Sequence, residues 1–229
     1  VADTANRRPI KQRGSAWAQR SAAWLADGGA SPDLISACSA AISLLGAALL
    51  LAAGGTSLLP LRAALFVGAC ACIQLRLLCN LLDGMVAVEH GRGSSAGPIW
   101  NELPDRFSDV VLLVGAGYSA RFGGELLFTA AIGWSCAVLA LSTAYVRELG
   151  RGLGFPADFS GPFAKQQRMA ALTIAGLVSA AEPLWGWHGQ TMLIVLVIIA
   201  LGTLATTARR TARLARNLAQ RFKANGGNE

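Results

Sequence analysis

Charge is what this chain has least of. Only 14% of its 229 residues are Asp, Glu, Lys or Arg while 53% are hydrophobic, and a soluble surface of that length would need more charge. With a mean hydropathy of +0.46, the composition predicts a polytopic membrane protein and leaves no room for a second, soluble domain. The first thirty residues are polar and basic and lack an apolar h-region, so no cleavable signal peptide is expected. Metal-ligand spacing is missing among the five cysteines. Cys38, Cys70, Cys72, Cys79 and Cys136 all fall in apolar segments, as small buried hydrophobes do, which argues against disulfides or a zinc site. No internal repeat or heptad run is present. The net charge of +7 is concentrated at the two ends and in one interior loop, a pattern that reports membrane orientation and contact with anionic lipid rather than nucleic-acid binding.

What is there is a series of apolar segments near 33–54, 60–88, 99–120, 124–147, 167–187 and 190–211, each approaching the ~20 residues that cross a bilayer as a helix. The expected fold is therefore all-α and integral to the membrane, with six transmembrane helices spanning a domain from 31 to 211. Residues 1–30 read as a basic tail followed by a short helix in the membrane interface, with Trp17 and Trp24 at headgroup depth. Gly28-Gly29 ends that helix, and Ser31-Pro32 reads as the N-cap and first turn of the next. Residues 212–229 continue the last helix as a basic amphipathic extension that suits an anionic leaflet. Of the twenty Lys and Arg, Arg62 and Arg121 fall on the side expected to face out and Arg76 and Arg106 lie within helices. The other sixteen sit in the tails and two loops of the opposite side, so the positive-inside rule puts both termini in the cytoplasm.

One polar stretch, Asn80 to Asp109, interrupts this pattern between the second and third segments. Ionisable groups next to a membrane span are expensive, so they mark a candidate site. The spacing is Asn80-x2-Asp83-Gly84-x2-Ala87-Val88-x8-Gly97-x3-Asn101-x3-Asp105, with Asp109 one turn further on. The second segment is too long for a simple span, so its C-terminal end is expected to project beyond the membrane with Asp83, Gly84 and Ala87. The third segment would start there with Asn101 and Asp105, and two helices would face each other with polar groups at i, i+3 or i+4.

This stretch resembles the signature of the CDP-alcohol phosphotransferases, Asp-x2-Asp-Gly-x2-Ala-Arg, about eight residues, then Gly-x3-Asp-x3-Asp. The spacing is kept throughout. Asp83, Gly84, Ala87, Gly97 and Asp105 are kept, while Asn80, Val88 and Asn101 stand where the family has Asp, Arg and Asp. The run Pro104-Asp105-Arg106-Phe107-Ser108-Asp109 resembles phosphatidylinositol-phosphate-type members.

The resemblance implies an enzyme of phospholipid biosynthesis in a bacterial inner membrane, its site facing the cytoplasm. It implies transfer of a phosphatidyl group from CDP-diacylglycerol to a small polyol or polyol phosphate, of the glycerol phosphate or inositol phosphate type, with release of CMP. Carried over position by position, Asp83, Asn80, Asn101 and Asp105 hold Mg²⁺ or Mn²⁺, and Asp105 also serves as general base. Gly84, Ala87 and Gly97, with Asn80, receive the nucleotide. Two carboxylates fewer remove two negative charges from the metal site, so Asp109 or Glu102, or Glu89, would compensate. The other reading of Asn80 and Asn101 is a hydrogen-bonded helix pair without metal. For the missing arginine at Val88, Arg92 or His90 could serve. Arg147, in Tyr145-Val146-Arg147, resembles the Tyr-x-Arg that ends the family's fourth helix. With Lys165 and Arg168 at the start of the fifth segment it is expected to bind the acceptor's phosphate. The family also implies a homodimer. The rival reading is a catalytically silent member that binds lipid or nucleotide and scaffolds a partner.

Overall fold

The computed structural model describes residues 11–121 and 125–225, and no strand occurs among them. Residues 1–10 of the basic tail and 226–229 of the C-terminal tail lie outside the described residues. After one 3-10 turn at Lys11–Gly14 come seven helices: α1 Ala16–Asp27, α2 Pro32–Gly55, α3 Leu59–Glu89, α4 Gly97–Ser119, α5 Leu126–Gly152, α6 Lys165–Ala181 and α7 Gln190–Ala224.

Local chemistry sets most boundaries. Ser31 caps α2 by accepting from the Leu34 amide at 3.1 Å, and Pro32 occupies the first turn, where a missing N–H costs nothing. Pro183 stops α6 at Ala181, short of the 187 that the apolar run predicts. A 3-10 turn, Glu182–Trp185, takes over, and Gly186 at φ +78° redirects the chain. In α7 nothing breaks the helix between its apolar half and its basic half, so both form one 35-residue rod.

Helices α2 to α7 form a bundle in which α2 packs on α3 and α4, α5 on α4 and α7, and α6 on α3 and α7. Close approach depends on small residues. A Cβ on Gly117 would fall 2.8 Å from the Cα of Gly133, so the α4–α5 crossing tolerates only glycine there. One apolar core runs through the bundle, centred on Phe66, Ile73, Leu112, Leu113, Met169, Leu172, Met192 and Leu196. Helix α1 docks outside it. Ala18, Ala22 and Ala26, spaced at i+4, are buried against Leu81, Leu82, Met85 and Val86 of α3, leaving Trp17 and Trp24 exposed.

Among the described residues four helices, α2, α3, α5 and α7, are long and apolar enough to cross a membrane. The other two of the expected six are polar or short. Helix α4 carries Glu102, Asp105, Arg106 and Asp109 within eight residues, and α6, at 17 residues, spans about 25 Å against a hydrocarbon core of ~30 Å. The bundle has a basic pole, where α3, α5 and α7 end and α2, α4 and α6 begin, and an opposite pole formed by the α2–α3, α4–α5 and α6–α7 connections.

Candidate active site

On α3, Arg76, Asn80, Asp83 and Ala87 recur at helical spacing and so share one face; on α4, Asn101, Asp105 and Asp109 do the same at i+4. The two faces meet near the basic pole, with α2 and α6 closing the sides. Successive turns place three acidic groups in different settings.

Asp109 lies deepest. Its oxygens accept from Arg76 Nη2 of α3 at 2.6 Å and Arg168 Nη2 of α6 at 2.8 Å, and all three side chains are almost wholly buried. Three helices are tied by this one carboxylate. Arg76 also reaches Asp105, donating to its backbone carbonyl at 3.1 Å and lying 3.7 Å from its carboxylate.

Asp105 stands one turn nearer the surface. Asn80 donates its amide to one oxygen and Lys165, the first residue of α6, its ammonium to the other, with Arg106 at 3.5 Å. The carbonyl of Asn80 accepts from Ser39 of α2 at 2.9 Å. This geometry explains the asparagine: a carboxylate at 80 would press against Asp105, whereas an amide bonds to it.

Asp83 differs from both. It is buried, accepts from Ser36 at 2.6 Å through Oδ2, and its Oδ1 has no hydrogen-bond partner. A buried carboxylate oxygen left open in this way is costly unless something from outside completes it. Among the described residues no group of three or more His, Cys, Asp or Glu could hold a metal ion. The open Oδ1 of Asp83 is a hard oxygen donor of the kind a divalent cation takes.

The other sequence-selected residues spread from this centre toward the surface. Asn101 is exposed, two turns above Asp109. Glu102 pairs with Arg147 of α5 at 2.6 Å and with Arg106 at 3.5 Å; Arg147 also meets Glu148 at 2.8 Å and lies over the Phe159 ring at 5.4 Å. Glu102 and Asp109 are therefore engaged by arginines in this arrangement. Gly84, Ala87 and Val88 are half-buried; Glu89, His90 and Arg92 are exposed. At Gly97 an added Cβ would meet nothing nearer than Ser94 Oγ at 3.7 Å, so the protein itself leaves space there. Sequence reasoning missed Ser36, Ser39 and the reach of Arg76. The last had a signal, a lone arginine inside an apolar helix one turn before Asn80.

An all-helical membrane-type bundle with an acidic and cationic centre at its basic pole is thus the class of protein that the fold and site define. No family model matches the chain. It is 28% identical over 202 residues to a phosphatidylinositol phosphate synthase of Streptomyces avermitilis, covering 87% of this chain and 78% of that one. It is also 28% identical over 191 residues to the inner membrane protein YnbA of Escherichia coli K12, covering 81% and 86%. The fold is shared with solved structures of Mycobacterium tuberculosis phosphatidylinositol phosphate synthase, PgsA1. With CDP-DAG bound the TM-score is 0.70, at 20% identity over 87% of this chain and 94% of that one. In complex with manganese and citrate it is 0.69, at 20% identity over 86% and 88%. In sequence and in fold the chain is thus similar to phosphatidylinositol phosphate synthases.

Proposed function

We propose that this protein is a phospholipid-forming transferase that moves the phosphatidyl group of CDP-diacylglycerol to a hydroxyl of a small polyol phosphate, releasing CMP. The observation that carries the reading is a buried Asp83 on α3 with an open Oδ1, and an Asp105 on the neighbouring α4 held by Lys165, with the motif spacing intact. The relatives named for phosphatidylinositol phosphate synthesis and the neighbour solved with CDP-DAG support it.

Each residue has a part in that reaction. Space beside Gly84, Ala87 and Gly97 receives the cytidine, where a larger side chain would collide with it. Asp83, Asn80 and Asp105, with Asn101 at the rim, would hold a divalent cation, Mg²⁺ or Mn²⁺, which neutralises pyrophosphate charge when bound; a neighbour solved with manganese supports divalent metal use. Asp105 takes the acceptor's hydroxyl proton. Its contact with Lys165 then breaks, because the ammonium pairs instead with the acceptor's phosphate, freeing the carboxylate oxygen at the moment a substrate arrives. Arg147 and Arg92 line the approach as further cations.

The bundle reads as six spans in a bacterial inner membrane. Helices α4 and α6 cross with their charges turned inward, α1 lies in the interface with Trp17 and Trp24 toward lipid, and the basic pole faces the cytoplasm and its anionic leaflet. Homodimerisation is part of the same reading.

The test is CMP release by purified, detergent-solubilised protein given CDP-diacylglycerol, Mg²⁺ or Mn²⁺ and a panel of polyols and polyol phosphates, with Asp105→Asn as control. Turnover with one acceptor that vanishes in the control supports the transferase. Nucleotide binding without CMP release across the panel points to a silent, scaffolding member, a reading that the saturated ion pairs of Asp105 would then explain.

A further inference from the structure

The basic half of α7 does not stand free. It grips the connection between α5 and α6, and that connection leads straight into Lys165. Arg210, buried on α7, donates Nε to the Ser160 carbonyl at 3.0 Å and Nη1 to the Thr143 carbonyl of α5 at 2.9 Å. One turn earlier, Thr206 Oγ1 donates to the Pro162 carbonyl. A further turn back, Gly202 seats the Phe163 ring so closely that a Cβ there would fall 2.3 Å from it. Three residues at i+4 spacing on α7 thus hold three consecutive parts of one turn.

The turn needs holding. Gly161 has φ +123° and Phe163 has φ +54°, a left-handed conformation that a bulky side chain adopts only when its surroundings impose it. What it presents to the site is specific. The Phe163 carbonyl accepts from Arg168 Nη1 at 2.9 Å, Arg168 holds Asp109, and Lys165 holds Asp105. On the outer side, Asp158 receives the amide and hydroxyl of Ser160 at 2.9 and 2.6 Å and pairs with Arg213 at 2.9 Å. Arg221 donates to the Leu153 carbonyl at 2.7 Å and lies 4.2 Å over the Phe155 ring.

From this contact chain we infer that Gly202, Thr206 and Arg210 of α7 are positioning residues for the acceptor side of the site. They fix the Ser160–Phe163 turn, and through it set where Lys165 and Arg168 stand relative to Asp105. The functional consequence rests on the transferase reading above, whereas the mechanical one does not. None of the three touches substrate in this scheme. Their loss should weaken capture of the acceptor's phosphate and leave the donor's cytidine pocket, on α3 and α4, undisturbed.

Two variants test this from separate atoms. Arg210→Met removes both hydrogen bonds, and Gly202→Val displaces the Phe163 ring. For each, the KM for the acceptor should rise on the order of tenfold, with kcat and the KM for CDP-diacylglycerol within about twofold of wild type. Arg210→Lys, able to reach one of the two carbonyls, should recover part of the loss. Hydrogen–deuterium exchange of the whole protein supplies the readout that needs no turnover: residues 155–164 should exchange faster in both variants while α3 and α4 do not. Equal losses for donor and acceptor, or a general rise in exchange across the bundle, would show a merely structural role and overturn the inference. Should wild-type protein release no CMP, the transferase reading fails, and the exchange pattern still decides whether α7 holds the turn.

Discussion

Two buried ionic clusters sit at opposite poles of this bundle, and they are finished to different degrees. At the pole away from the motif, Arg62 of α3 donates to Glu182 at 3.1 Å and to the Ser179 carbonyl at 2.7 Å. Glu182 accepts from the backbone amides of Gly189 at 2.9 Å and Thr191 at 2.7 Å, capping α7. Both carboxylate oxygens are filled, and the unpartnered buried atoms nearby are the hydroxyls of Ser179 and Thr191. At the basic pole, Asp83 Oδ1, Arg76 Nε and Nη1, and Arg168 Nε are buried without partners. A closed network ties helices together, whereas one left open at a charged atom has capacity for something else. The first cluster is a fastening. The second is a fastening through Asp109 and, in the proposed function, a site through Asp83 and Asp105.

Substitutions can break that division. The largest effect should follow Asp109→Ala, which strands Arg76 and Arg168 as uncompensated buried charges; about 3–5 kcal/mol of stability should be lost, read as a lower melting temperature in detergent. Next comes Asp105→Asn. It should lower CMP release by ~100-fold or more, the scale of a lost general base, while the melting temperature falls less than for Asp109→Ala, because the amide still offers Lys165 an acceptor and Arg76 keeps its ion pair with Asp109. If Asp105→Asn unfolds the protein as Asp109→Ala does, the distinction between fastening and site is wrong.

A smaller effect is expected from Glu182→Gln at the opposite pole. Losing the charge but keeping an acceptor should cost about 1–3 kcal/mol and leave the acceptor and donor KM values unchanged. A changed KM would mean that the two poles are coupled. The smallest effect concerns pH. Burial pushes the Asp158 carboxyl up, but hydrogen bonds from Ser160 and the Arg213 guanidinium outweigh it and hold it below the ordinary 3.8. Because the folded value is the lower one, its contribution is complete above the unfolded value of about 3.9 and is lost as pH falls through the folded one. An Asp158→Asn variant should therefore melt slightly earlier than wild type at pH 6, and the gap should close on acidification below 4.

The sequence alone determined what depends on composition, period and short-range chemistry. The helices α2 to α7, the Ser31-Pro32 start of α2 and the alignment of Asn80, Asp83 and Ala87 on one face follow from apolar runs, capping preferences and the 3.6-residue turn, all local properties. The motif spacing also marked where the buried charged cluster lies. Only the tertiary structure decided which charge answers which. Asp109 and Glu102, candidates for completing the metal site when spacing is the sole guide, are claimed by arginines from α3, α5 and α6, far away in sequence. Asn80 proves to be the partner of Asp105, and the basic end of α7, which by composition suits a lipid surface, proves to hold the turn before Lys165. The physical reason is the same in each case: a charge is attracted to whatever the packing of other helices brings within a few ångströms, and no local pattern encodes that neighbour.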